Sequence, residues 1–314
     1  QQQGMKDLIL DLQGNGGGYL NAAIDLANEF LGQKELIVYT EGRTAQRSEF
    51  FAKGNGEFRD GRLIVLVDEY TASASEIVSG AVQDWDRGII VGRRSFGKGL
   101  VQRPIDLPDG SMIRLTIARY YTPAGRCIQK PYDSSTDYNK DLIDRFNHGE
   151  LMNADSIHFP DSLKVQTKKL KRTVYGGGGI MPDYFVPIDT TLYTDYHRKL
   201  VGKGVIIKFT MKFIEDHRKE LADKYKKFES FNEKFVIDDD MLATLREMGE
   251  KEGVKFNEEQ YQKALPLIKT QLKALIARDL WDMNEYFRVM NTTNESVQKA
   301  LEILRSGEYQ KKLK

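Results

Sequence analysis

Two short segments carry side chains whose types and spacing could do chemistry. The first is TASASE (residues 71–76), which follows an apolar run at residues 63–67 and opens a helical pattern. A serine in that place, Ser73, has an exposed hydroxyl beside the free N–H groups of the helix N-terminus, which favour a negative charge. The segment is also typical of an ordinary helix cap, because Ser73 and Glu76 match the capping-box pattern.

The second segment is SFGKG (residues 95–99), in which two glycines flank Lys98. Glycines let a lysine lie close to neighbouring backbone, and burial there would favour the neutral amine, which can take a proton from a serine. An exposed loop lysine is the alternative. Both segments follow apolar runs that read as parallel strands, and α/β sheets place their sites at the carboxyl ends of such strands. We therefore predict that Ser73 and Lys98 work together.

Nucleotide binding is the rival chemistry for the glycine-rich loops. Residues 92–98 satisfy the pattern G-x-x-x-x-G-K, but Gly99 stands where a Mg²⁺-binding Ser or Thr is needed. A strand pattern follows, so the phosphates would lack a helix N-terminus. The loop GNGGGY (residues 14–19) falls short of a dinucleotide fingerprint, because Tyr19 replaces its third glycine. The sequence therefore disfavours a nucleotide site.

The elements that must position these residues alternate along the first part of the chain. Apolar runs predict strands at residues 6–12, 36–39, 63–67 and 89–91, and helical periods cover residues 19–31 and 74–85. This order favours βαβ units in an α/β domain with a parallel sheet. Residues 100–104 and 111–121 then predict an antiparallel hairpin, and residues 184–186 a short strand.

A change of character near residue 188 predicts a second region. Residues 1–187 form the predicted core, with residues 130–172 as a polar surface insertion. Residues 188–314 are poor in glycine and rich in Lys, Glu, Leu and Ala, which predicts a helical C-terminal region. Its helical periods cover residues 191–202, 206–230, 238–252 and 257–306.

Composition excludes several classes of function. The 314 residues carry a net charge of +1, which gives no support to nucleic acid or a membrane surface as the main partner. Its single cysteine, Cys127, excludes an intramolecular disulfide and a cysteine-based zinc site. No apolar run approaches the ~18 residues of a membrane helix. The four histidines lie in polar surroundings, where surface placement is expected.

A series of motifs, in the same order along the chain, resembles the C-terminal processing (tail-specific) peptidases. Besides TASASE and the GKG around Lys98, the sequence carries LILDLQGNGGG at residues 8–18, AVQD at residues 81–84, and VQ at residues 101–102. LT at residues 115–116 precedes YYTPAG at residues 120–125, and GGIMPD follows at residues 178–183. The resemblance covers residues 7 to about 187 and implies an α/β core similar to the ClpP/crotonase fold.

The resemblance also implies a role for each site residue. Ser73 would be the nucleophile, Lys98 the general base, and Gln102 the residue that orients Lys98. The oxyanion hole would combine the Ala74 N–H with an N–H of Gly17 or Gly18. Asp84 matches a supporting carboxylate. However, it lies about three helical turns from Ser73, so a structural role fits equally well.

The resemblance implies a serine endopeptidase that cuts protein or peptide substrates near their C-terminus, without metal or cofactor. It further implies export to the periplasm or cell envelope of a bacterium, and leaves a homo-oligomer open. The family usually carries a PDZ domain before the core; none precedes Lys6, so we expect a partial chain. A catalytically silent scaffold on the same fold is the alternative.

Overall fold

The computed structural model describes residues 4–131 and 140–314. Two compact units make up the chain: Gln1–Pro187 together with Lys299–Lys314, and Ile188–Gln298. The sequence division placed residues 188–314 in one region, and the structure differs for their last part. The Tyr309 hydroxyl accepts a hydrogen bond from the Leu63 N–H at 2.9 Å, and the Leu304 carbonyl accepts one from Arg62 at 2.7 Å.

Strands and helices of the first unit have the following bounds. The strands are β1 (Asp7–Asp11), β2 (Leu36–Glu41), β3 (Ser48–Phe51), β4 (Arg62–Val67), β5 (Ile89–Gly92), β6 (Leu100–Asp106), β7 (Met112–Tyr121), β8 (Lys164–Gln166), β9 (Thr173–Tyr175) and β10 (Tyr184–Phe185). The helices that begin in this unit are α1 (Leu20–Asn28), α2 (Ala74–Asp84), α3 (Asp141–Asn147) and α11 (Glu308–Lys312).

A parallel sheet lies at the centre of the first unit. Its strand order is β1-β4-β5-β10, and each neighbouring pair is parallel. The apolar residues of β4 from Leu63 to Val67 are fully buried, as expected for a strand that is covered on both faces. The predicted α/β class is confirmed. The carboxyl ends of β4 and β5 lead into the segments that carry Ser73 and Lys98.

Strand β2 does not join the parallel sheet, which corrects the expectation of simple βαβ units. It lies in an antiparallel sheet of order β3-β2-β7-β6. The segment after β2, for which the sequence predicted no element, supplies its partner β3. The indole N–H of Trp85 also donates to the Leu36 carbonyl at 2.7 Å. An alternation of strands and helices does not decide which sheet a strand enters.

The segment at residues 130–172 is more than a surface insertion. Its residues 132–139 lie outside the described part. The rest contains α3 and the hairpin strand β8, and it buries Arg145, Leu151 and Thr167. The prediction of a polar surface loop is wrong for these residues. The Arg145 guanidinium is satisfied inside the fold by the Glu150 carboxylate and two backbone carbonyls.

The second unit is helical, as predicted. Its helices are α4 (Asp195–Gly202), α5 (Val205–Lys224), α6 (Phe228–Lys234), α7 (Asp239–Lys251), α8 (Glu258–Leu280) and α9 (Met283–Met290), and α10 (Glu295–Ser306) carries the chain back to the first unit. His197 is buried, not at the surface, with Nε2 2.8 Å from Gln271 Oε1. Within residues 4–131 and 140–314, no helix has the length and apolar character to cross a membrane.

Candidate active site

Ser73 stands at the N-cap of α2 in an unusual backbone conformation. Its φ is 58° and its ψ is −117°. L-residues rarely adopt such a positive φ, and the strain costs of the order of 1–3 kcal/mol when the surroundings enforce it. Hydrogen bonds fix the residues around Ser73. The Thr71 hydroxyl donates to the Leu12 carbonyl at 2.7 Å. Asp68 accepts from the Gly14 N–H at 2.9 Å. The serine is thus held in a strained turn between β4 and α2.

Glu76 is the buried centre of the site. Its Oε2 accepts hydrogen bonds from the Ser73 N–H and the Lys98 N–H, both at 2.8 Å. Its Oε1 accepts from the Gly97 N–H at 2.7 Å and from the Ser95 hydroxyl at 2.5 Å. The side chain is fully buried. Burial raises the pKa of Glu76, while the hydrogen bond from Ser95 and those from the three backbone groups favour its charged form.

One carboxylate therefore joins the two segments that the sequence singled out. Because a single oxygen of Glu76 accepts from both amides, the backbones of Ser73 and Lys98 are close neighbours. The sequence explained Glu76 only as half of a capping box. The bond from Glu76 to the Ser73 N–H fits that explanation, but nothing in the pattern signals its reach to residues 95–99.

Lys98 is exposed, which corrects the expectation of a buried amine. Its neighbours Gly97 and Gly99 are buried. A Cβ at Gly99 would lie 2.6 Å from the Gln129 nitrogen, so the backbone is as closely packed as the glycines predicted. The Gly99 N–H donates to Gln129 Oε1 at 2.8 Å. The loop is fixed by its backbone, whereas Lys98 itself is exposed.

The side chain of Lys98 lines an open cavity of about 750 Å³. Gln102, which lies on β6, lines the same cavity. In the part of the chain that the structure describes, no hydrogen bond joins Gln102 to Lys98. The structure thus brings the two residues to one cleft without showing the orienting contact. Glu41, Arg43 and Arg119 add charges to the wall of this cavity.

Gly17 packs directly against the turn that holds Ser73. Its φ is 87°, and a Cβ there would lie 2.5 Å from the Ala72 carbonyl and 2.7 Å from the Ala74 nitrogen. Only glycine fits this close approach. Gly17, Gly18 and Ala74 line a second cavity of about 210 Å³. The three residues assigned to an oxyanion hole therefore lie together.

Asn15 fastens this glycine loop to α2, a role that the sequence did not reveal. Its carbonyl accepts from the Ala72 N–H at 3.0 Å. Its Oδ1 accepts from the Ser75 hydroxyl at 3.0 Å and from the Gly17 N–H at 2.9 Å. The Gly17 N–H is therefore already engaged in a hydrogen bond. For the Gly18 N–H, the described residues provide no hydrogen-bond acceptor.

Asp84 lies away from the other site residues, at the far end of α2. It is fully buried, and its Oδ1 lies 2.5 Å from a terminal nitrogen of Arg126, which is also buried. Its Oδ2 accepts from the Ala124 N–H at 2.8 Å. The structure does not bring Asp84 to Ser73 or Lys98. Its contacts instead hold the turn at residues 122–126, which leads into Gln129.

We expect Asp84→Ala to lower the free energy of unfolding by about 3–5 kcal/mol, because it leaves the Arg126 charge buried without its partner. Activity should fall too, since the loosened turn continues into Gln129, which binds the Gly99 N–H. Urea unfolding and peptide hydrolysis measure both effects. The double variant Asp84→Leu/Arg126→Met should recover stability. Lost activity with unchanged unfolding would instead place Asp84 in the chemistry.

Comparisons with known proteins find similar sequences for the first part of the chain. Residues 1–136 match peptidase family S41. This part of the chain is an S41 peptidase domain. A chloroplastic C-terminal processing peptidase of Tetradesmus obliquus is 43% identical over 129 residues, which are 41% of this chain and 28% of that protein. A carboxyl-terminal-processing protease of a Picosynechococcus species is 45% identical over 130 residues, which are 41% of this chain and 31% of that protein.

The chain therefore spans less than a third of the length of these curated relatives. Among solved structures, the photosystem II D1 C-terminal processing protease is similar, with a TM-score of 0.42 and 30% identity, over 61% of this chain and 37% of that chain. Beyond the S41 domain, residues 196–282 match a family of unknown function, DUF8443.

Proposed function

We propose that the S41 domain is a serine endopeptidase in which Ser73 is the nucleophile and Lys98 the general base. The observation that carries this proposal is the carboxylate of Glu76, which accepts from the amides of both residues at 2.8 Å. A strained serine at a helix N-terminus, next to a glycine loop, suits attack on a peptide carbonyl. Family membership and the spatial grouping of the predicted residues support the same assignment.

The reaction follows from these positions. Lys98 takes the proton of the Ser73 hydroxyl while Oγ attacks the peptide carbonyl carbon. The N–H groups of Ala74 and Gly18 hold the negative oxygen of the tetrahedral intermediate. The amide bond then breaks, the amine leaves with a proton from Lys98, and an acyl-enzyme remains. Water releases the acyl group, again with Lys98 as the base.

The exposure of Lys98 leaves room for a peptide beside its amine. A peptide that fills the cavity would contact both Lys98 and Gln102, which line it.

Strand β6 offers a way to hold an extended substrate. It is an edge strand of its sheet and carries Gln102 into the cavity. An extended peptide can add to such an edge through backbone hydrogen bonds. Protein or peptide chains cut near their C-terminus are the substrates that we propose, and the bacterial cell envelope is the proposed location.

The proposal is tested with an unfolded protein substrate and a fluorophosphonate probe, which forms a bond to an activated serine. We expect fragments to appear, and mass spectrometry to find the probe on Ser73. Ser73 and Ser75 lie in one tryptic peptide, residues 63–87, so fragmentation of the labelled peptide in the mass spectrometer is used to tell them apart. A chain that neither cuts nor reacts with the probe would support the silent scaffold instead.

A further inference from the structure

The loop that carries Lys98 is held from its outer side by a buried arginine. Arg145, on α3, is 5% exposed. Its guanidinium donates to the Arg94 carbonyl at 2.7 Å and to the Ser95 carbonyl at 3.2 Å. Only Phe96 separates these carbonyls from Gly97 and Lys98, whose amides bind Glu76. The loop is therefore held on two sides, by the Glu76 carboxylate through its N–H groups and by the Arg145 guanidinium through its carbonyls.

A carboxylate fixes the arginine in this place. Glu150 accepts from Arg145 Nε at 2.7 Å and from Arg94 at 2.8 Å and 2.6 Å. Burial alone would raise the pKa of Glu150, but the hydrogen bond and charge of Arg94, together with Arg145, hold it below its ordinary value. Arg94 also donates to the Gly178 carbonyl at 2.5 Å. The two arginines and the glutamate form one charged, hydrogen-bonded unit.

The N-terminus of α3 makes a second attachment. The Lys130 N–H donates to the Gly97 carbonyl at 3.0 Å. Lys130 Nζ lies 2.7 Å from Asp141, the first residue of α3. It also lies 3.8 Å from the centre of the Phe96 ring. Residues 94–97 are thus joined to α3 in two ways, directly by Arg145 and through Lys130 by Asp141.

We call residues 93–99, between β5 and β6, the catalytic loop. We propose that α3 is a clamp on this loop and that Arg145 is a positioning residue for Lys98. This inference rests on the proposed function, since it assigns Arg145 to the placement of its base. Arg145 does not touch the reacting atoms. It fixes the carbonyls of Arg94 and Ser95, and through them the direction in which the next residues present Lys98 to the cleft.

The test compares Arg145→Ala with Arg87→Ala. Arg87 is a matched control, because it also donates to two backbone carbonyls, those of Phe30 at 2.9 Å and Phe58 at 2.7 Å. Those carbonyls lie outside the catalytic loop. We expect Arg145→Ala to lower kcat about 10²-fold, as for a misplaced catalytic group, with little change in KM. Added guanidinium ion should restore part of kcat. Arg87→Ala should lower the melting temperature and leave kcat unchanged.

A second measurement does not depend on activity. The amides of Gly97 and Lys98 bind Glu76, so their hydrogen exchange reports the order of the loop. We expect faster exchange at both amides in Arg145→Ala, reversed by guanidinium, and no change in Arg87→Ala. Unchanged exchange, or a kcat that falls no more than in Arg87→Ala, would overturn the clamp. If the parent chain neither cuts nor reacts with the probe, the proposed function fails, and the exchange result still decides whether α3 orders the loop.

Discussion

Ser73→Ala and Lys98→Ala will each abolish peptide hydrolysis, with a loss of kcat/KM of at least about 10⁴-fold, as for other enzymes that lose a nucleophile or its base. Without the hydroxyl no acyl-enzyme can form, and without the amine the serine loses the base that we propose for its proton. Initial rates with an unfolded protein substrate measure the loss. Folding should be little affected by Lys98→Ala, since the loop is held by its backbone.

Two further variants test whether the loss of activity comes from the missing base and nucleophile, or only from a lost charge or a disturbed helix. Lys98→Arg keeps the positive charge but cannot act as a base near neutral pH, so we expect it to be silent. Ser79→Ala is the matched serine control, because Ser79 is buried in the same helix and donates to the Ser75 carbonyl at 2.9 Å. It should cut normally. Activity in Lys98→Arg, or equal cutting by all variants, would refute the Ser73–Lys98 pair.

Glu76→Gln should damage both stability and catalysis. Glutamine offers one acceptor oxygen, and its NH₂ group would face N–H or O–H donors that now bind a carboxylate. Each buried donor left without an acceptor costs about 1–3 kcal/mol. We expect kcat/KM to fall about 10²-fold, because the amides of Ser73 and Lys98 lose their common acceptor. Urea unfolding and initial rates provide the two measurements.

Asp183→Asn is the control for the loss of a buried carboxylate elsewhere. Asp183 accepts from the Ile90 N–H at 2.8 Å and forms an ion pair with Arg172. This variant should unfold more easily and keep the kcat of its folded fraction. If Glu76→Gln also keeps its kcat, Glu76 serves only as a helix cap.

Titration of the Glu76 carboxyl group should make stability fall and activity rise as pH increases. Burial raises the pKa of Glu76 above the value of about 4.3 for a free glutamate. The folded chain therefore binds this proton more tightly than the unfolded chain does. The stability of the parent relative to Glu76→Gln should be greatest below the free value and decline as pH rises through the raised one.

Activity should rise over the same interval, since the ionised carboxylate is the form that accepts from Ser73 and Lys98. Urea unfolding at a series of pH values tests the first part, and initial rates test the second. A stability difference that grows with pH would mean that the hydrogen bonds outweigh burial.

Local patterns were sufficient to predict the elements that carry the site. The apolar run of β4 predicted a buried parallel strand, and the residues after it predicted a helix that begins beside Ser73. Close packing around Gly99 was expected, because the glycines beside Lys98 have no Cβ. Such inferences succeed because strand burial, helix caps and tight turns depend on neighbours in sequence.

Contacts between distant residues could not be predicted in this way. The sheet that β2 joins is set partly by its pairing with β3, a strand that the sequence did not predict. Lys98 is exposed because it lines an open cavity, whose other residues come from distant parts of the sequence. Arg145 lies in a polar segment, and its burial depends on Glu150 and on carbonyls some fifty positions earlier in the chain. A single sequence shows residue types but not these pairings.

The contact between Tyr309 and Leu63 has a consequence for biosynthesis. Leu63 belongs to β4, which lies inside the parallel sheet, and its N–H is satisfied by a side chain 246 positions later. A ribosome has therefore made the serine, the lysine and the whole helical unit before this strand acquires its last partner. During synthesis the nascent chain holds an incomplete sheet, so the peptidase would mature only after the residues around Tyr309 have left the exit tunnel. A truncation that removes Tyr309 would leave the Leu63 N–H, inside the parallel sheet, without its hydrogen-bond acceptor.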